Sequence, residues 1–248
     1  PDAVFGLHCH SSMPLGMVGY SEGLLLANVD SIDITILGKG GHGSAPQTTI
    51  DPIVIACRLV LDLQTLVSRE NNPQDPAVVT VGSFHGGSKH NIIPSEVHLQ
   101  LTVRSFKDEV RKKLLEGIER MAKAAAAGAR APEPIITIDQ ANFTPALYND
   151  AALAKKTAKR LGEHFGEAKV RVIPPIMGGE DFGRYGRAGV PIFFWFIGTV
   201  DPAKYMESKK PGGPSLPSLH SDTYAPVPEP SIRTGATSLS IAVLNALR

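Results

Sequence analysis

The chain has 248 residues, a formal net charge of +1, 42% hydrophobic and 20% charged residues. That near-neutral balance, with no basic run carrying interleaved aromatics, argues against a nucleic-acid partner or an anionic membrane surface. No apolar stretch approaches the roughly 18 residues that span a bilayer. The two cysteines, Cys9 and Cys57, build no disulfide framework and fit a reducing, cytoplasmic compartment.

In chain order, Asp2 to Leu7 reads as a buried strand, followed by a Gly/Pro-rich loop to about Gly19. No signal peptide is visible, and a chain that opens inside a core strand at Pro1 looks cut. Asp30 to Leu37 alternates like a strand with one polar face. A glycine loop, Gly38 to Gly43, comes next. Asp51 before Pro52 is a helix start, and Ala56, Leu59, Val60, Leu63 and Leu66 recur at helical spacing until Asn71 to Pro76 breaks the pattern. Ala77 to Phe84 and Glu96 to Ser105 are strands. In the second, Val97, Leu99, Leu101 and Val103 share one face, and His98, Gln100, Thr102 and Arg104 the other. Lys107 to Ala127 is a helix and Pro134 to Ile138 a strand.

That β-α-β-β-α-β order is the split βαβ pattern, a sheet with two helices on one face. The rhythm then changes. Asp150 to Phe165 is a helix, Val170 to Ile173 and Val190 to Ile197 are strands, and Ser231 to Leu247 is a last amphipathic helix. Val190 to Ile197 is apolar almost throughout, as in a sheet covered on both faces. Lys209 to Pro217 is a loop by composition, expected to be mobile. The fold class is therefore α/β, with an α/β layer formed by both ends of the chain and a smaller α+β domain inserted between them.

Several side chains are candidates for chemistry. Gly38, Gly40 and Gly43 fit a dinucleotide fingerprint, but the helix that should hold the pyrophosphate starts only near Asp51. These glycines instead suit a tight loop that presents His42, either as a polar turn residue or as a donor held towards a ligand. His8 and His10 flank Cys9 at a strand end, where ligands of open α/β sheets bind. They are a structural pair or half of a metal site. His220 lies in the loop before the last helix, with Asp222 as a partner for its ring. In MGGEDFG, Met177 to Gly183, Glu180 and Asp181 stand at an expected helix start, where capping is the plain reading. Arg104 suits a bidentate carboxylate clamp or a surface ion pair.

Taken in order, GLHCHSSMPLG, GKGGHGSAPQTTIDP, HNIIPSEVHLQLTVR, MGGEDFGRYG and SLHSDTY resemble the metal-dependent amidohydrolases and aminoacylases of the M20 peptidase family, nearest the hippurate hydrolase and indole-acetyl-amino-acid hydrolase branch. The resemblance implies a zinc-peptidase-like catalytic domain from residues 1–28 and 141–248. It also implies a ferredoxin-like lid and dimerisation domain over residues 29–140, and a homodimer through that lid. It makes His8 and His220 metal ligands and leaves His10 without a role. It makes His42 the lid histidine that steadies the tetrahedral oxyanion in the partner's active site. Asn91 and Arg104 become lid residues that hold the substrate's carboxylate, and Gly178 and Gly179 part of the pocket wall. The cofactor implied is a pair of divalent metals, drawn from Zn, Mn, Co or Ni, and the substrate an N-acyl amino acid or dipeptide.

One departure stands out. Family members carry a long N-terminal segment with a Cys-x-His metal pair and a Glu-Glu pair that supplies base and ligand. This chain has neither, and Cys9 is misplaced to serve as that cysteine. Amide hydrolysis needs a metal to acidify water and a carboxylate to shuttle its proton, and two histidines supply neither a closed coordination sphere nor a base. The expectation is an inactive fragment of an amidohydrolase. The alternatives are a metallo-dipeptidase or carboxypeptidase of the same family, or a non-catalytic dimerising module that binds acylated amino acids.

Overall fold

The computed structural model describes residues 1–247. The strands and helices are, in chain order, β1 (Val4–Pro14), β2 (Val18–Tyr20), β3 (Leu24–Leu26), β4 (Asn28–Leu37), β5 (Gly41–His42), α1 (Pro52–Thr65), β6 (Ala77–Gly86), β7 (Ile92–Ile93), β8 (Glu96–Ser105), α2 (Asp108–Gly128), β9 (Ile135–Ile138), β10 (Leu147–Tyr148), α3 (Ala151–Phe165), β11 (Val170–Val172), α4 (Gly183–Arg187), β12 (Ile192–Val200), α5 (Pro202–Ser208) and α6 (Pro228–Ala246). They form two compact units. One comprises Pro1–Leu26, Leu147–Ile176 and the chain from Glu180 onward; the other comprises Ala27–Ala146 and Met177–Gly179.

In the first unit the sheet order is β1-β12-β2-β11. β12 is buried from Ile192 to Thr199 because both of its faces are covered. Phe193, Trp195 and Ile197 share a core with Ala154 and Leu161 of α3 and Ala242 of α6. Ile192, Phe194 and Phe196 pack with Leu25, Leu26 and Leu147 on the other side. The strand expected to end at Leu7 runs on to Pro14, since β1 pairs in parallel with β12 from Val4 to His10. The backbone of β12 offers partners beyond the apolar run, so the histidines lie within the strand rather than in a loop.

The helices over this sheet differ. α3 turns Lys155, Lys159 and Arg160 outward, as a surface helix does. α6 buries Ser231, Thr234, Ser238 and Asn245 and exposes Ile232, Val243 and Leu244. Trp195 Nε1 donates to Ser238 Oγ at 3.2 Å, which accounts for a hydroxyl on the inner face. α6 begins at Pro228, three positions before the expected start, with proline in its first turn.

In the second unit the antiparallel sheet order is β6-β8-β4-β9, the split βαβ arrangement. α1 and α2 contribute Leu59, Leu63, Leu114 and Ile118 to the core against Ile32, Ile34, Val97 and Leu99. Asp51 caps α1 by accepting from Ile53 N at 2.9 Å. One polar contact is deeply buried. Arg111 of α2 donates from Nε and Nη2 to the Asp30 carboxylate at 2.8 and 2.6 Å, and its guanidinium carbon lies 3.7 Å from the Phe143 ring centroid. The Asp30 side chain is 1% exposed.

Removing one member of a buried pair strands the other charge, at a cost of about 3–5 kcal/mol. Arg111→Met is expected to lower stability on that scale in equilibrium guanidinium unfolding. A loss below about 1 kcal/mol, the scale of an exposed pair, would show that the contact is open to solvent.

Candidate functional site

The histidines of β1 are placed by its register. His8 stands opposite Phe196, and His10 opposite Gly198. Alternation puts both rings on one face, where each meets Phe196 edge-on, at centroid distances of 6.2 and 5.1 Å. Cys9 points the other way, into the core beneath α3 and α6. It is no third donor.

Hydrogen bonds assign the neutral tautomers. His8 Nδ1 lies 2.7 Å from the Cys9 carbonyl oxygen. A carbonyl only accepts, so Nδ1 carries the hydrogen and the lone pair of His8 is on Nε2, the arrangement of a metal-binding imidazole. His10 is the reverse: its Nδ1 accepts from Ser12 N at 3.2 Å, which leaves the hydrogen on Nε2. Burial, then the charge of His8, pushes the His10 imidazole below the usual histidine range.

The MGGEDFG segment brings a carboxyl group to the same side. α4 starts only at Gly183, and no side chain caps it. The capping reading of Glu180 and Asp181 therefore fails. The anchor is Phe182, whose ring packs over Gly6 and lies 5.2 Å from that of Phe194. Glu180 is held above the usual carboxylate range by burial, and then by its hydrogen bond to Asp181 and that residue's charge. The Phe182 N–H and His8 partly offset this. The electrostatic reach between Glu180 and His8 was not legible from their separation in sequence. His220 is exposed in the loop before α6 and forms no hydrogen bond with Asp222 among the described residues. That loop is tied down next door, where Tyr224 Oη meets Thr199 Oγ1 at 2.7 Å.

Among the described residues no three His, Cys, Asp or Glu side chains gather closely enough to hold a metal ion. His8 has the right free nitrogen, but the donors present do not by themselves fit a metal.

In the second unit, His42 lies on β5, which pairs with β7 as a two-stranded ribbon. Gly43 N donates to Asn91 O at 2.8 Å, and a Cβ on Gly43 would stand 3.1 Å from that oxygen. Close backbone approach, not an unusual φ, explains this glycine. His42 is exposed, and its Nδ1 accepts from Ser44 N at 3.1 Å, with Ser44 Oγ 2.7 Å away. Its hydrogen is therefore on Nε2, the nitrogen that these donors leave uncontacted. Asn91 also lines a cavity of about 430 Å³ with Gly43, Lys89 and His90. A larger groove of about 980 Å³ between α1 and α2 contains none of the expected site residues.

Arg104 is half-buried on β8 and donates from Nη1 to Met177 O at 2.7 Å. Neither the clamp nor the surface ion pair describes this contact: one arm holds the backbone beside Gly178, while its other N–H groups have no partner among the described residues. Gly178 O accepts from Ala27 N at 2.9 Å. A side chain on Gly179 would collide with Val29, so packing alone requires that glycine.

The two units define the fold class, a mixed α/β protein with an inserted α+β unit. Residues 26–130 match the family model described as the M20 peptidase dimerisation domain. The chain is 37% identical over 203 residues to IAA-amino acid hydrolase ILR1-like 4 of Arabidopsis thaliana, covering 82% of this chain and 46% of that protein. It is 36% identical over 200 residues to N-acetylcysteine deacetylase of Bacillus subtilis, covering 79% and 50%. Its fold matches a dinuclear metal-binding M20 peptidase from Bacillus subtilis with a TM-score of 0.70 and 26% identity, over 98% of this chain and 57% of that one. A structure described as an aminohydrolase from methicillin-resistant Staphylococcus aureus matches with a TM-score of 0.76 and 27% identity, over 99% and 58%. The chain thus carries an M20 peptidase dimerisation domain and is homologous to M20 hydrolases, and it spans about half the length of the curated relatives it matches.

After incubation with zinc or manganese and removal of loose ions, the 248-residue chain is expected to retain well below one metal ion per chain. Elemental analysis checks this. One or two tightly held ions would mean that its own residues complete a site.

Proposed function

We propose that this chain supplies part of the active centre of an amidohydrolase that cleaves an N-acyl amino acid at its amide bond. The curated relatives act, by their names, on amino acids bearing an acyl group, so the shared substrate is an amide beside a free carboxylate. The observation that carries the reading is His42, exposed on a glycine-bounded ribbon with its Nδ1 engaged by Ser44, which leaves the hydrogen on Nε2. Such a donor suits the oxyanion that develops when an amide carbonyl is attacked.

Asn91 and the unpartnered N–H groups of Arg104 would hold the substrate carboxylate, beside a wall formed by Gly178 and Gly179. His8 and His220 would be ligands to one or two divalent ions, Zn, Mn, Co or Ni, once further donors stand beside them. β1 ends its sheet, and α6 presents an apolar outer face near it. Both suit additional polypeptide of a longer protein that brings those donors. Homodimerisation through residues 29–140 would let His42 act in the partner's site. A dipeptidase is the second reading, favoured by the description of the Bacillus subtilis structure as a peptidase. A substrate panel of N-acyl amino acids and dipeptides decides between them.

In the active enzyme, His42→Ala is expected to lower kcat by roughly 10²–10³, the scale for losing an oxyanion donor. An unchanged kcat would remove His42 from the mechanism. Arg104→Ala is expected to act mainly on KM, because it deletes ground-state binding; a loss confined to kcat would contradict the carboxylate clamp.

A further inference from the structure

We propose that Ser44 is a positioning residue that fixes His42 as its Nε2–H tautomer. The backbone N–H of Ser44 can only donate, and it lies 3.1 Å from His42 Nδ1. The Ser44 hydroxyl is 2.7 Å from the same nitrogen and is free to donate to it. Both donors converge on one lone pair. With the hydrogen on Nδ1, the Ser44 N–H would face another N–H and the hydroxyl would have to turn round.

The loop is built to keep this geometry. Ala45 N donates to His42 O at 2.9 Å and closes the turn that carries Ser44. Gly43 N is held by Asn91 O, and Gly41 and His42 pair with Ile93 and Ile92. The backbone around the ring is therefore hydrogen-bonded on both sides, and Ser44 N–H has a fixed direction. The same H-x-S unit recurs at His10–Ser12, where Ser12 N and Oγ lie 3.2 and 3.1 Å from His10 Nδ1. Two copies of the device, one on a strand and one on a turn, make it a local property of the tripeptide rather than an accident of one loop.

The consequence for chemistry rests on the proposed function: an oxyanion needs a hydrogen on the nitrogen that faces it, and Ser44 ensures that Nε2 carries one. The tautomer itself is measured without any assay. Imidazole 1H–15N correlation spectra of the 15N-labelled 248-residue chain, at a pH where the rings are neutral, report it directly. His42→Gln assigns the signal. Wild type is expected to show a predominantly Nε2–H ring at His42. Ser44→Ala keeps the backbone donor and loses the hydroxyl, so the ratio of Nδ1–H to Nε2–H should rise roughly fivefold, the factor one net hydrogen bond is worth. Ser44→Thr retains a hydroxyl and should restore the wild-type ratio. Ser44 is exposed, and unchanged signals from the other histidines would show an intact fold. A mixed wild-type ring, an unchanged Ser44→Ala ratio or failure of Ser44→Thr to restore it would overturn the assignment. A shifted tautomer together with an inert His42→Ala substitution would leave Ser44 in its role and defeat the oxyanion reading alone.

Discussion

The parallel pairing of β1 with β12 is the constraint on which the histidine strand depends. β12 is buried on both faces, and such a strand has little freedom to slip, since one step would exchange its two sets of aromatic side chains. With β12 fixed, the register Gly6–Phe194, His8–Phe196 and His10–Gly198 follows. It sends Cys9 into the core and both imidazoles to the opposite face. It also sets Gly6 where Phe182 can pack across the strand, and through Phe182 the Glu180 carboxyl comes within reach of His8. An apolar strand thus decides which imidazole and which carboxyl group feel each other's charge.

The second unit reaches a comparable result by other means. His42 is exposed and owes nothing to burial. Its ring is oriented by donors two residues away, and its backbone by the ribbon with Ile92 and Ile93 and by the contact of Gly43 with Asn91. Local hydrogen bonds of this kind contribute only about 1 kcal/mol each. That is small for stability but enough to select between two tautomers of similar energy. The buried Asp30–Arg111 pair contrasts with it, because its geometry is held by core packing and its loss is paid in stability.

Much of the fold was legible because periodicity reports burial. The alternation of β4 and β8, the helical spacing of α1 and α2, and the continuous apolar run of β12 each match their elements to within a few residues. The failures share a cause. β1 was read as ending at Leu7 because polar residues follow, yet its backbone partner continues beyond the apolar side chains. Glu180 and Asp181 were read as caps because acidic residues favour helix starts, but Phe182 finds a slot over Gly6 and the helix begins after it. The readings of Arg104, a carboxylate clamp or a surface ion pair, do not include its bond to the Met177 carbonyl, because that carbonyl is 73 residues away. The tautomer-setting serines did have a signal, the H-x-S spacing at His10 and His42, which composition and hydrophobic pattern pass over.

The two helices over the first sheet pack against one core but differ in their outer faces. α3 and α6 pack on the same aromatic face of β12. α3 covers its outer side with lysine and arginine, whereas α6 leaves Ile232 70% and Leu244 58% exposed while hiding Ser231 and Asn245. The inner face of α6 mixes small and polar residues with Leu239, Ile241 and Ala242, and Ser238 meets the Trp195 indole there. β1, which ends the sheet, lies beneath this helix and carries His8 on its opposite face, with an Nε2 lone pair that has no partner among the described residues. The exposed apolar face of α6 thus lies on the Cys9 side of β1, whereas the His8 ring stands on the opposite face; what the two sides share is the open edge of β1, where further backbone can pair.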